Sequence, residues 1–220
     1  MTVAGPARVR PGSIGIMGGT FDPIHVGHLA IAEEAREVLG LERVLFIPAS
    51  IPPHRPASSV APAADRAAMV ELAIRGNAAF ELSRIELERA GPSYTSDTVA
   101  ALAAAERAAG RAPDLTFILS AETLHDLPGW HEPERLVDAC RIAVVPREGY
   151  PGPTRAWLSS AFPGRGERFD LLEGPRLGLS STSVRERVGA GRSIRYIVPP
   201  AVARYIDDHG LYRATARAAS

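Results

Sequence analysis

Lysine is absent from this sequence of 220 residues, in which all 25 basic residues are arginine. Schiff-base enzymes, pyridoxal enzymes and P-loop nucleotidases each depend on a particular lysine, so the composition excludes these three classes. The single cysteine, Cys140, excludes an intrachain disulfide and a multi-cysteine zinc site, and we expect an inert buried thiol. No apolar run reaches the ~18 residues of a membrane span, and Met1 to Gly12 contains no apolar signal core. We therefore expect a cytoplasmic protein.

The charges balance, because 25 acidic residues offset the 25 arginines. An even balance argues against a protein that neutralises nucleic-acid phosphates. The hydrophobic fraction of 45% is enough for a sizeable core, and the length fits one domain. We predict a single domain over 1–220, with a nucleotide-binding α/β core over 12–180, a C-terminal helical segment over 181–212 and a flexible tail over 213–220.

Short β-branched apolar runs alternate with longer segments rich in Ala, Glu and Arg. This alternation predicts right-handed βαβ units and an α/β fold, a Rossmann-like doubly wound parallel sheet with helices on both faces. Strands are predicted at 14–17, 44–47, 115–119 and 142–145, with weaker candidates at 80–82 and 169–172. Helices are predicted at 29–39, 64–74, 98–109 and 184–188, and a last one from 199 to 209. Pro48–Pro62 and Arg147–Pro153 are predicted to be exposed loops, and a ligand is expected at the carboxyl ends of the strands.

The segment Gly18-Gly19-Thr20-Phe21-Asp22-Pro23-Ile24-His25-Val26-Gly27-His28 follows the first predicted strand and opens the first helix. Glycines there let a ligand approach the backbone, and a helix N-terminus offers free N–H groups to an anion. The spacing is not that of the dinucleotide fingerprint of dehydrogenases. Two imidazoles beside a phosphate cradle suit phosphoryl or nucleotidyl transfer, as neutral or cationic donors. Helix capping and zinc binding remain alternatives, although no third ligand with paired spacing is visible.

This segment resembles the signature of the HxGH nucleotidyltransferase superfamily, and within it the bacterial nicotinate-nucleotide adenylyltransferase family. Leu179–Arg185 resembles the superfamily's S-S-T-x-x-R segment, in which hydroxyls and an arginine at a helix start form a second polyphosphate site. A capping box of Ser183 with Glu186 fits the same residues. Four further segments resemble that family, so the likeness covers roughly 12–212. They are Ile51–Arg55, Gly91–Thr98, Leu127–His131 and Arg195–Tyr212.

The resemblance implies an adenylyltransferase that joins ATP and nicotinate mononucleotide into nicotinate adenine dinucleotide, by direct in-line attack that releases pyrophosphate. It implies Mg²⁺ bound mainly through the ATP phosphates, with no protein metal ligands, and 181–212 completing the ATP site. The implied catalytic residues are His25, His28 and Arg185. The implied ATP-binding residues are Gly18, Gly19, Thr20, Phe21, Glu122, Ser181 and Thr182. The implied acceptor-binding residues are His54, Arg55, Tyr94, Thr95 and Trp130, whose indole stacks on the pyridine ring.

Two departures from the family pattern stand out. Arg55 replaces the usual lysine and keeps the charge, whereas Ser120-Ala121-Glu122 replaces Gly-Ala-Asp and lengthens the acidic side chain by one methylene. The alternatives are a relative that uses pantetheine phosphate or nicotinamide mononucleotide, a cytidylyltransferase, and a module that senses nucleotide without turnover. No membrane or nucleic-acid partner is expected, and the sequence leaves the oligomeric state open.

Overall fold

The computed structural model describes residues 7–52 and 60–213. Within them, one parallel sheet contains strands β1 (Arg10–Gly19), β2 (Leu41–Pro48), β3 (Phe80–Leu82), β4 (Asp114–Ser120), β5 (Arg141–Val145) and β6 (Phe169–Leu171). Their order across the sheet is β3-β2-β1-β4-β5-β6. This is the strand order of the doubly wound nucleotide-binding fold, so the predicted fold class is confirmed, including both weaker strand candidates.

The helices are α1 (Val26–Leu39), α2 (Ala63–Ile74), α3 (Thr95–Ala108), α4 (Ala121–Asp126), α5 (Pro133–Ala139), α6 (Arg155–Ala161), α7 (Ser181–Gly189) and α8 (Pro200–Asp208). α1, α3 and α7 begin three residues earlier than the apolar pattern predicts, because only Val26 is apolar among the nine residues added at their starts. α4 and α5 were not predicted, since six or seven residues are too few to show helical periodicity. None of the described helices is long and apolar enough to cross a bilayer.

Alternate residues of the strands build two cores, one on each face of the sheet. In β4, Phe117 and Leu119 belong to one core, and Ile118 between them belongs to the other. α3, α4, α5 and α6 cover the first face, and α1 and α2 cover the second. α7 and α8 join the second face through Val184, Val202 and Ile206, which brings the start of α7 beside the loop between β1 and α1.

The chain changes direction across the sheet between β1 and β4. From β1 it proceeds to β2 and β3 on one side, and from β4 to β5 and β6 on the other. Adjacent strands whose connections diverge leave a crevice at their carboxyl ends. A cleft of about 530 Å³ lies there, lined by Gly18 and Gly19 at the end of β1 and by Leu119 and Ser120 at the end of β4. The cleft thus lies at the carboxyl ends of the strands, where the sequence predicts a ligand.

Candidate active site

Most of the residues predicted from the sequence line this one cleft. Arg185 does not line it but contacts the β1–α1 loop through the carbonyl of Asp22. His54 and Arg55 lie outside the described residues. The predicted residues that line the cleft are Gly18, Gly19, Thr20, Phe21, His25, His28, Tyr94, Thr95, Glu122, Trp130, Ser181 and Thr182.

The two histidines of the first motif form a stacked pair at the start of α1. His25 is the N-cap residue and is 3% exposed, and its ring centroid lies 3.8 Å from that of His28. The backbone N–H of His25 donates to Nδ1 of His28 at 3.2 Å. Because Nδ1 accepts, the neutral His28 ring carries its proton on Nε2. His28 therefore takes part in capping α1 and still has one N–H to offer a ligand.

Both histidines are neutral near pH 7 in the free protein. Burial, with a smaller contribution from the nearby Arg147 guanidinium, lowers the pKa of His25 to about 4. Burial, His25 and Arg147 together hold the pKa of His28 well below its ordinary value. The sequence allows the two imidazoles to be neutral or cationic donors. Their burial favours the neutral form as long as no anion occupies the cleft.

Residue 27, between the two histidines, has to be glycine because the His25 ring lies close to its backbone. A Cβ atom at this position would lie 3.0 Å from both Cε1 and Nδ1 of His25 and 3.5 Å from Cβ of Leu179. Contacts at 3.0 Å force the neighbouring atoms to move. The absence of a side chain at residue 27 is what allows the His25 ring to stack on His28.

The second motif docks onto the first. Ser180, not Ser183, is the N-cap of α7, and its Oγ accepts from the backbone N–H of Ser183 at 3.1 Å. Ser181 Oγ donates to the carbonyl of Pro23 at 2.9 Å. Arg185 donates from Nη1 to the carbonyl of Asp22 at 2.7 Å and from Nη2 to Oγ1 of Thr182 at 3.1 Å. The two predicted polyphosphate elements, far apart in sequence, therefore meet at one edge of the cleft.

A cluster of aromatic side chains lines another part of the cleft. Tyr94 is the N-cap residue of α3, and its ring centroid lies 4.1 Å from that of His131. Trp130 presents its indole edge-on to Phe117 with centroids 6.1 Å apart. Thr95 begins α3, so the first N–H groups of a 14-residue helix lie beside these rings.

Three charged residues near the cleft were missed by the sequence analysis. Arg66 is 1% exposed and donates to the carbonyls of Thr20 at 2.7 Å and Ser50 at 3.2 Å, so it joins the loops after β1 and β2. Glu86, also buried, lines the cleft and accepts from Thr98 Oγ1 at 2.7 Å. Arg147, in a segment predicted to be a plain exposed loop, lines the cleft as well.

Comparison with known proteins then shows the family. The cytidylyltransferase-like family model matches residues 16–187. A relative from Roseiflexus sp. (strain RS-1), named "Probable nicotinate-nucleotide adenylyltransferase", is 50% identical over 91% of this chain and 98% of its own. A relative of the same name from Dehalococcoides mccartyi (strain ATCC BAA-2266 / KCTC 15142 / 195) is 42% identical over 90% of this chain and 96% of its own. The chain belongs to the cytidylyltransferase-like family, among the nicotinate-nucleotide adenylyltransferases.

Solved structures support the same fold at lower sequence identity. Plasmodium falciparum nicotinic acid mononucleotide adenylyltransferase, complexed with NaAD, superposes with a TM-score of 0.75 at 19% identity and covers 91% of this chain and 97% of that one. The same enzyme complexed with APC gives a TM-score of 0.73 at 20% identity, with the same coverage. The cytidylyltransferase-like match runs from β1 into α7, so it includes both polyphosphate elements.

Glu122 is where this chain departs from the nicotinate-nucleotide adenylyltransferase pattern, and its carboxylate is engaged. Oε2 lies 3.1 Å from Nε of Arg147, and Oε1 accepts from the Tyr150 hydroxyl at 3.0 Å. Ser120 caps α4 by accepting from the backbone N–H of Thr123 at 3.3 Å. A contact of Glu122 with ATP stays a prediction, whereas its contact with Arg147 is present in the free site.

Proposed function

We propose that this protein transfers the adenylyl group of ATP to the phosphate of nicotinate mononucleotide, giving nicotinate adenine dinucleotide and pyrophosphate in NAD biosynthesis. The observation that carries this proposal is the stacked His25–His28 pair at the switch point of the sheet, within reach of the docked start of α7. The family relationship supports the same reaction. A reaction that consumes ATP suits a cytoplasmic location.

The chemistry needs no nucleophile from the protein. A phosphate oxygen of the acceptor attacks the α-phosphorus of ATP, the new P–O bond forms, and the bond from the α-phosphorus to the bridging oxygen breaks as pyrophosphate leaves. The protein's task is to align the two phosphates and to stabilise the charge that builds on the α-phosphate oxygens. His28, with its proton held on Nε2, and the neighbouring His25 are placed for that charge.

The leaving group requires its own donors. In our proposal Ser181, Thr182 and Arg185 hold the β- and γ-phosphates, because hydroxyls, free N–H groups and a guanidinium meet at the start of α7. The backbone of Gly18, Gly19 and Thr20 lies against the nucleotide. Phe21, which stands edge-on to His28 at 5.2 Å, keeps that ring in place from the other side.

Mg²⁺ enters this scheme with ATP. Among residues 7–52 and 60–213, no group of three His, Cys, Asp or Glu side chains is placed to hold a metal ion. The donor set therefore suits an ion coordinated by phosphate oxygens and water, with protein residues acting on the phosphates. When bound, Mg²⁺ neutralises charge on the triphosphate.

The acceptor side of the cleft suits a pyridine carboxylate. We place the ring against Trp130, and the carboxylate at the N–H groups that begin α3 beside Tyr94 and Thr95, where the positive end of the helix dipole lies. The carboxylate of Glu86 also lines this part of the cleft, but its Oε1 already accepts from Thr98. An amide would present N–H groups to donors, a mismatch of ~1–3 kcal/mol. His54 and Arg55 are proposed to contact the acceptor phosphate.

A single assay tests the activity and the acceptor together. Pyrophosphate release and product mass are measured with ATP and each of nicotinate mononucleotide, nicotinamide mononucleotide and phosphopantetheine. We expect kcat/KM for the nicotinate compound to exceed that for the amide by at least ~10-fold. A ratio near one would refute the proposed carboxylate site. Turnover of phosphopantetheine would show that it, and not nicotinate mononucleotide, is the acceptor. ATP binding without pyrophosphate release would indicate a nucleotide sensor.

A further inference from the structure

A buried carboxylate, Asp22, connects the C-terminal end of the described chain to the β1–α1 loop. Asp22 is 1% exposed, and its Oδ1 accepts from the Tyr212 hydroxyl at 2.7 Å and from the backbone N–H of Ala61 at 3.2 Å. Oδ2 has no hydrogen-bond partner among the described residues and lies 3.6 Å from Nη1 of Arg185. The same Nη1 donates to the Asp22 carbonyl.

Tyr212 and Arg185 thus compensate one buried negative charge from two directions. Burial and the Asp22 carboxylate raise the pKa of Tyr212, so its hydroxyl stays protonated and serves as a donor. Arg66, the other cation near Asp22, is already committed to the carbonyls of Thr20, Ser50 and Ala61. Without the Tyr212 hydroxyl, the carboxylate would depend more heavily on Arg185.

We propose that Tyr212 is a positioning residue for the triphosphate site, because its hydrogen bond to Asp22 lets the guanidinium of Arg185 stay beside Thr182 at the edge of the cleft. This inference rests on the proposed role of Arg185 toward ATP. An uncompensated buried carboxylate strongly attracts a neighbouring cation. Loss of the phenolic hydroxyl would close the 3.6 Å separation between Asp22 Oδ2 and Arg185 and draw the guanidinium away from Thr182, which lines the cleft and to which Nη2 donates.

The test compares two tyrosines of the C-terminal segment that make the same kind of bond. Tyr205 in α8 donates to Oδ1 of Asp65 at 2.8 Å, and neither residue lines the cleft. ATP and nicotinate mononucleotide are titrated separately by calorimetry against wild type, Tyr212→Phe and Tyr205→Phe, and thermal melts establish that each variant is folded. We expect Tyr212→Phe to weaken ATP about tenfold, with the acceptor changed by less than about twofold, and Tyr205→Phe to change neither.

Three results would overturn the proposal: unchanged ATP affinity in Tyr212→Phe, equal weakening of both ligands, or the same loss of ATP affinity in Tyr205→Phe. A double-mutant cycle with Arg185→Ala gives a second, independent test. Tyr212→Phe should cost no further ATP affinity in the Arg185→Ala background, and additive losses would show that Tyr212 acts on general stability. Failure of the proposed function is distinguishable, because it would appear in wild type as ATP binding without pyrophosphate release.

Discussion

His28 makes two separable contributions, and three substitutions distinguish them. Its Nδ1 accepts from the His25 backbone at 3.2 Å, which helps to cap α1, and its Nε2–H is the proposed donor to the α-phosphate. An asparagine places Oδ1 near the position of Nδ1 but has nothing at Nε2. A glutamine places an N–H donor near Nε2 but has no acceptor at Nδ1. Alanine removes both groups.

The expected magnitudes follow from these two contributions. A lost preorganised donor costs roughly 3 kcal/mol of activation free energy, which corresponds to a ~10²-fold fall in kcat. A lost capping bond costs ~1 kcal/mol of folding free energy. We therefore expect His28→Asn to keep wild-type stability and lose ~10²-fold in kcat, His28→Ala to lose both, and His28→Gln to lose stability but retain more activity than the other two.

The measurements are kcat from pyrophosphate release at saturating substrates, and the free energy of unfolding from urea titration of the same preparations. If His28→Asn turned over at nearly the wild-type rate, His28 would be a capping residue only. If kcat fell in proportion to stability across the three variants, the loss of activity would be a consequence of unfolding. Either outcome would remove His28 from the proposed mechanism.

Gly27→Ala puts a methyl group 3.0 Å from the His25 ring; we expect a loss of ~1–3 kcal/mol in stability with reduced kcat, whereas Gly129→Ala, where nothing lies within 4 Å, should change neither. Arg185→Ala should weaken ATP at least ~10-fold and leave the acceptor unchanged, and equal losses by calorimetry would contradict its assignment to the polyphosphate. Burial lowers the pKa of His25 to about 4 in the folded protein, against an ordinary value of 6.5 in the unfolded chain. Between these pH values the unfolded chain therefore binds a proton that the folded protein does not. Stability should therefore fall by up to ~3 kcal/mol as the pH drops from 6.5 to 4, and urea titration of His25→Asn should show a shallower dependence; an identical slope would refute the burial argument.

The fold is predictable from the sequence where local pattern and tertiary burial agree. Strands buried on both faces are continuous β-branched runs, which is why β4 and β5 were predicted to within one residue of their observed bounds. β1 begins four residues and β2 three residues before the predicted apolar run. α5 lacked such a signal because it is short and begins at Pro133 after Glu132, a non-glycine residue with φ of 49°. Its position depends on packing by Leu136 and Val137, which no short window of sequence reveals.

The site residues also fall into two groups, those that a local motif predicts and those that only the folded structure brings to the site. Residues carried by a contiguous motif, such as His25 and Ser181, were found because their spacing has a local meaning. Arg66 was missed because an arginine within a helical pattern usually lies on a solvated face. Its burial depends on the carbonyl of Thr20, 46 residues away. Glu86 likewise acquires its position through Thr98 on α3, a contact that requires the assembled fold.

The departure at Ser120–Glu122 lies near the histidine pair that we propose to be catalytic. Burial is the main cause of the lowered pKa values of His25 and His28, and Arg147 adds to it. Arg147 in turn lies 3.1 Å from the carboxylate of Glu122. A cation beside two imidazoles disfavours their protonation, whereas an entering triphosphate favours it. Glu122 holds that cation in the free site through this 3.1 Å contact. We therefore expect the acidic residue after β4 to influence the protonation of the histidines through the position of Arg147, whether or not it also contacts the nucleotide.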